Sequence, residues 1–355
     1  YNANSSPSLG NLNIRGNRAN NDGGGVYNIS SSPSFTDVTL SNNQAINGGA
    51  IYNNGGSPSF EQTTINANTA SSNGGGVYTI GGASARFTDT LIQSNTTNGS
   101  GGGVFTNGGN SSFTDVQIRD NEAAGNGGGV TSVNDSPSFT NVTISGNTAN
   151  GDGGGIANAV NSSPSFTNVT ISGNTATSGN GGGIANNNNC NPSFINVTIS
   201  NNTAGTNGGG IYNISNSTAS LSATQILTNT ALRGGGVFNN SSNPSFTNVT
   251  ISGNTVNFSG GGASNTNGSS PSFTNVTISG NTADSGGGGV ANLTSSTATF
   301  VNVQISGNSA GTTFGGGVLN DDSDPSFTNV TIARNRAGFS GSGVYNVNFS
   351  DPTFI

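Results

Sequence analysis

The feature that most restricts this chain is a repeat. Leu9, Phe35, Phe60, Phe87, Phe113, Phe139, Phe166, Phe194, Leu221, Phe246, Phe273, Phe300, Phe327 and Phe354 follow one another at intervals of 25 to 28 residues, which makes thirteen complete repeats. Eight residues after each of the first thirteen anchors stands an Asn, without exception: Asn17, Asn43, Asn68, Asn95, Asn121, Asn147, Asn174, Asn202, Asn229, Asn254, Asn281, Asn308 and Asn335. Ile or Leu falls five after the anchor, as at Ile14, Leu40 and Ile144. Val usually falls three after, as at Val142 and Val169, and Ala ten after, as at Ala149 and Ala283. A Gly run ending in Val or Ile follows, such as Gly153-Gly154-Gly155-Ile156. The anchor-to-Asn segment never changes length, so it is the part expected to stack rigidly. The slips lie on either side of the Gly run, where loops are expected.

Val-Thr-Ile-Ser alternates apolar and polar, the period of a half-buried strand. The Gly run with its Val or Ile reads as a second short strand, and Ser-Phe-Thr as a third. Gly and Asn between them allow the positive φ that corners need. One such repeat cannot bury its apolar side, whereas stacked repeats bury a continuous column of Phe, Val, Ile and Ala. The predicted fold is therefore all-β: a single-stranded parallel β-helix solenoid of about 13 rungs of 25–28 residues, three short strands per rung. Identical Asn side chains about 4.8 Å apart are expected to form a structural ladder, each amide donating to the neighbouring rung.

Composition fits this reading. Charged residues make up 6% of the chain, against about a quarter in ordinary domains. Disordered chains are usually charged and lack periodic apolar residues, so the bias reflects repetition. The net charge is −7, with seven Arg and no Lys, which leaves no basic stripe for nucleic acid. No apolar run approaches the ~20 residues of a membrane span. Cys190, the single cysteine, occupies a slot where other repeats carry Ser or another small polar residue, and forms no internal disulfide.

The string Phe139-Thr140-Asn141-Val142-Thr143-Ile144-Ser145-Gly146-Asn147-Thr148-Ala149, followed by Gly153-Gly154-Gly155-Ile156, resembles the repeats of pectate-lyase-like right-handed parallel β-helices. It is also similar to the repeat region of chlamydial polymorphic outer membrane proteins and related autotransporter adhesins, whose Gly-Gly-Ala-Ile element is matched at Gly48-Gly49-Ala50-Ile51. The adhesin repeat places Asn three after Phe, whereas here Asn or Asp commonly stands two after, as at Asn168 and Asp115. The resemblance implies a right-handed coil, in keeping with the hand of parallel crossovers. It leaves function open, because this scaffold hosts lyases, hydrolases, adhesins and fibres.

No catalytic constellation is legible. Asp89 and Asp115 would stack in adjacent rungs, near the ~5 Å of a retaining glycosidase pair, but the same slot holds Asn in most repeats. Asp321, Asp322 and Asp324, with Asp351 one rung on, read as a solvated turn or a Ca²⁺ loop. The chain has no His, so a Ser-His-Asp triad is excluded. The glycine runs lack the helix and Lys of a phosphate loop. The expectation is a non-enzyme with no cofactor and no metal.

Three surface features are expected. The residue after the Gly-run Val or Ile should point outward and is aromatic at Tyr27, Tyr52, Tyr78, Phe105, Tyr212 and Phe238, an exposed ladder suited to sugars or to another fibre. Asn-x-Ser/Thr sequons at Asn28, Asn141, Asn168, Asn196, Asn213, Asn248, Asn275, Asn292 and Asn329 are candidate glycosylation sites. An interrupted Thr series, Thr143, Thr170 and Thr198, resembles an ice-binding face.

The chain opens at Tyr1-Asn2, a pair that elsewhere closes a Gly-rich strand, and stops at Phe354-Ile355, where a strand should begin. The expectation is one solenoid over 1–355, open at both ends: a fragment of a longer chain or a subunit of a stacking filament. The expected function is an extracellular or cell-surface structural or adhesive fibre, self-associating and glycosylated. A carbohydrate-binding or carbohydrate-active β-helix is the alternative, and an ice-binding face the third reading.

Overall fold

The computed structural model describes residues 1–355. It resolves into two compact units, Tyr1–Thr177 and Ser178–Ile355. Each is a parallel β-solenoid, and every regular element in both is a strand. One rung of the first unit shows the plan. Ser138–Thr140 carries Phe139 inward, Thr143–Ser145 carries Ile144, Thr148–Ala149 carries Ala149, and Ile156–Ala159 closes the turn. Burial alternates along these strands, with Phe139, Ile144, Ala149 and Ile156 at 1% exposure or less.

The rung therefore has four strands and its stack four sheets, not the three strands expected from sequence. The extra strand is two residues long and buries only Ala149. Its counterparts Ala45, Ala70 and Ala123 line one side of the first unit, and Ala204, Ala231, Val256 and Ala283 pack together in the second.

Register is one-to-one. Phe113 pairs with Phe139, Ile118 with Ile144, Ala123 with Ala149 and Val130 with Ile156. The second unit repeats the pattern at Phe246–Phe273–Phe300 and Ile251–Ile278–Ile305. Stacked rungs bring the rings face to face. Centroids from Phe35 to Phe166 are 4.8–4.9 Å apart with planes within 15°. Those from Phe246 to Phe327 are 4.7–4.9 Å apart. Such overlap is set by the rung spacing of about 4.8 Å, not by the ring quadrupoles, which prefer an offset.

Corners explain the polar residues between strands. The residue two after each Phe is left-handed: Asp89 at φ 47°, Asp115 at 56°, Asn141 at 56° and Asn168 at 56°. Asn and Asp tolerate this conformation best among non-glycines, which accounts for their exchange in this slot. The Gly run has three separate causes. Gly101 has φ +72°; a Cβ on Gly102 would lie 2.3 Å from the Gly128 carbonyl oxygen; one on Gly103 would meet the Gly129 oxygen at 2.7 Å and the Asn121 amide at 3.1 Å. The last contact couples the Gly run to the Asn series.

Candidate functional site

The thirteen-fold Asn series forms a ladder within each unit. In the first, Asn147 Nδ2 donates to Asn174 Oδ1 at 3.0 Å and to the Ile118 carbonyl at 2.9 Å. The Asn147 backbone N–H also donates to Asn174 Oδ1, at 3.0 Å. The same trio recurs at Asn68, Asn95 and Asn121, and in the second unit at Asn229, Asn254, Asn281 and Asn308. Each side chain therefore bonds the rung on both sides, and Asn68 through Asn308 are essentially inaccessible. Asn17 and Asn43 belong to the ladder of the first unit, and Asn202 and Asn335 to that of the second.

Two further interior columns escaped the sequence reading. The second residue after the Gly-run Val or Ile points inward, and Asn28 Nδ2 donates to Asn53 Oδ1 at 2.8 Å. In the second unit Asn213, Asn239, Asn265, Asn292, Asn320 and Asn346 form an unbroken chain of such bonds at 2.8–2.9 Å. The residue four before the anchor, Ser in all but five repeats (Gly56, Ala83, Gly109, Asp135 and Cys190), forms the other column. Its hydroxyl donates to the last carbonyl of the preceding strand, as Ser162 to Ala159 at 2.9 Å, and accepts an N–H from the neighbouring rung, as from Asp135 at 3.2 Å. Cys190 stands in this column, buried, with Sγ 3.0 Å from the Asn187 carbonyl oxygen. A thiol is thus tolerated as a weak donor where Ser is usual.

The candidate sequons divide by strand parity. Asn28, Asn213 and Asn292 are 0% exposed and belong to the interior column, so no glycan fits there in the folded chain. Asn141, Asn168, Asn196, Asn248, Asn275 and Asn329 are exposed at the left-handed corner. They also bond between rungs, as Asn168 Nδ2 does to Asn141 Oδ1 at 3.1 Å and Asn275 Nδ2 to Asn248 Oδ1 at 3.2 Å.

The aromatic residues do line the outside, but as a closed stack. Tyr1, Tyr27, Tyr52, Tyr78 and Phe105 lie 4.8–5.5 Å apart with planes within 20°. Tyr27, Tyr78 and Phe105 are half-buried, while Tyr52, Tyr212 and Phe238 are each only 7% exposed. Each inner ring face is covered by the next ring, so the expected exposed platform is reduced to ring edges and hydroxyls. Burial, with Asp22 and the neighbouring tyrosines adding to it, pushes the Tyr52 phenol up to about 12; Tyr27 and Tyr78 move the same way.

The acidic residues do not converge. Asp115 Oδ1 accepts from Asn141 Nδ2 at 3.1 Å as part of the corner row. Asp321 accepts from Asn348, and Asp324 from the Asp351 amide, both at 2.6 Å. No group of three or more His, Cys, Asp or Glu gathers to hold a metal ion. One surface concavity of about 280 Å³ is walled by Arg18, Gln44, Ile46, Thr69, Ser71 and Asn98, with no carboxylate among its lining residues. No helix is long and apolar enough to cross a membrane.

Residues 37–54, 141–159 and 196–214 match the Chlamydia polymorphic membrane protein repeat. Each matched segment runs from the left-handed corner after Phe, through the Asn ladder, into the Gly-run strand. No curated protein and no solved structure matches the chain. With four parallel sheets in each unit and the same ladder in every rung, the chain is a parallel β-helix repeat protein similar to the polymorphic outer membrane proteins.

Proposed function

We propose that the chain is a non-catalytic, cell-surface stalk of an adhesin-like protein. The observation that carries this reading is the uniformity of the rungs: the interior Asn amides are bonded along the stack, and no rung departs from the pattern to gather acids, bases and donors around a cleft. The matched repeat, by its description one of a membrane protein, supports a surface location. The test is antibody labelling of intact cells with a serum raised against this chain. Label that appears without permeabilisation and is removed by external protease fits the proposal; label seen only after permeabilisation overturns it.

Glycans on the outer corner row belong to the same proposal. Asn141, Asn168 and Asn196, with Asn248, Asn275 and Asn329, are the accessible sequons. Rungs about 4.8 Å apart are too close for sugars on every one. Peptide mapping of native material is expected to find glycans on some of these six, with neighbours left bare, and none on Asn28, Asn213 or Asn292. A bare chain mass would remove the glycan coat from the proposal. Filament growth is its remaining part, because a parallel ladder is complementary to another copy of itself.

A further inference from the structure

The residue four before Phe139 is Asp135, and it stands in a column held by Ser or Cys in ten of the fourteen repeats and by Gly56, Ala83 and Gly109 in the three rungs before it. It is 2% exposed, and neither buried carboxylate oxygen makes a well-formed hydrogen bond, although the Thr106 hydroxyl and the Ser136 amide lie close enough to act on it. Its backbone keeps register, donating to Ser162 Oγ at 3.2 Å. The side chain is the anomaly. Ser31 donates to the Ile29 carbonyl at 2.7 Å, Ser242 to Asn240 at 3.0 Å, Ser296 to Leu293 at 2.8 Å and Ser350 to Val347 at 2.8 Å. In each case the acceptor is the final residue of the preceding strand. For Asp135 that acceptor is Val133. An ionised carboxylate offers it no proton and would face it oxygen to oxygen.

We propose that Asp135 is a buried proton-binding site: a carboxyl can play the part of the column's hydroxyl only as the neutral acid, so this rung is tightest when Asp135 is protonated and loosens when the proton leaves. The surroundings agree. The strand Val104–Asn107 presents the Thr106 hydroxyl, and the next rung presents Ser162. The Thr106 hydroxyl and the Ser136 amide favour the anion, but burial outweighs them and raises the carboxyl above its usual range; no charged side chain acts on it. Because the folded value lies above the unfolded one, the stabilisation is complete below the unfolded value of about 3.9 and disappears as pH rises to the folded value.

The test is hydrogen exchange of the full chain over a pH series, corrected for intrinsic exchange, in wild type and Asp135→Asn, whose amide is a donor at every pH. The ratio of opening in the Val130–Phe139 rung, wild type over variant, is expected near one at the acid end. It should grow about tenfold per pH unit until Asp135 ionises. A flat ratio, or one that grows toward acid, overturns the proposal. A readout on wild type alone guards against a misfolded variant: in an infrared pH titration, one carboxylic-acid carbonyl band should persist to higher pH than the bands of the other carboxyls. If every carboxyl loses its acid band together, Asp135 is an ordinary anion and the proposal is overturned equally.

Discussion

Replacing Asn147 with Ala is expected to destabilise its stack by about 3–5 kcal/mol, among the largest effects of any polar substitution in the chain. The side chain serves two rungs at once. Its Oδ1 accepts from the Asn121 backbone N–H at 3.0 Å and from Asn121 Nδ2 at 2.9 Å. Its Nδ2 reaches Asn174 Oδ1 and the Ile118 carbonyl. Ala leaves two buried donors on Asn121 without an acceptor, and water cannot reach them because Asn121 is 1% exposed. Each orphaned donor costs about 1–3 kcal/mol, and the cavity adds to that. Because a solenoid opens by neighbouring repeats, the loss should be concentrated. Hydrogen exchange should accelerate most at Asn121, Asn147 and Thr148, alongside a lower denaturation midpoint. A midpoint within experimental error of wild type would show that the ladder fixes register without contributing stability.

Phe139→Ala is expected to cost a similar amount, about 3–5 kcal/mol, for a different reason. Phe139 is 1% exposed and stacks on Phe113 at 4.8 Å and on Phe166 at 4.9 Å. The rungs are tied by strand pairing on every side, so they cannot close over the void. Leu offers a control already present in the chain: Leu221 holds the same position in the second unit, paired to Phe246 and 1% exposed. Phe139→Leu should therefore lose less than half as much in equilibrium denaturation. Equal losses for Ala and Leu would mean that ring-on-ring contact, not filled volume, holds this column.

The two predictions rest on features read with different success from sequence. The Phe anchors and the Asn eight residues later were legible because the segment joining them never changes length, so its period survives every loop insertion. The second Asn column and the Ser column lie beyond the Gly run, where Val160 and Asn161 add a residue and where Thr79, Thr106 and Ser132 replace Asn. Slips and substitutions of that kind hide a column that the fold nevertheless keeps aligned. The strand at Thr148–Ala149 is too short for alternation to signal it. Asn28 and Asn141 carry equally good sequons, and only their placement on an inward strand position or an outward corner separates them. The outward direction of Tyr52 followed from parity, but its cover by Tyr27 and Tyr78 depends on rung spacing, which a single repeat does not contain.

The interior amides share one sense. From Asn17 to Asn174, and from Asn202 to Asn335, each Nδ2 points to the Oδ1 of the later rung, and the column from Asn186 to Asn346 does the same. The exposed corner row runs the other way, from Asn329 back to Asn302 and Asn275. Aligned amide dipoles add, so each stack is electrically a vector, with donors toward one face and acceptors toward the other. Two like faces brought together would set donor against donor. Whatever continues such a stack, whether chain or second copy, must therefore meet it head to tail, and a two-fold symmetric junction through these columns is ruled out by their polarity.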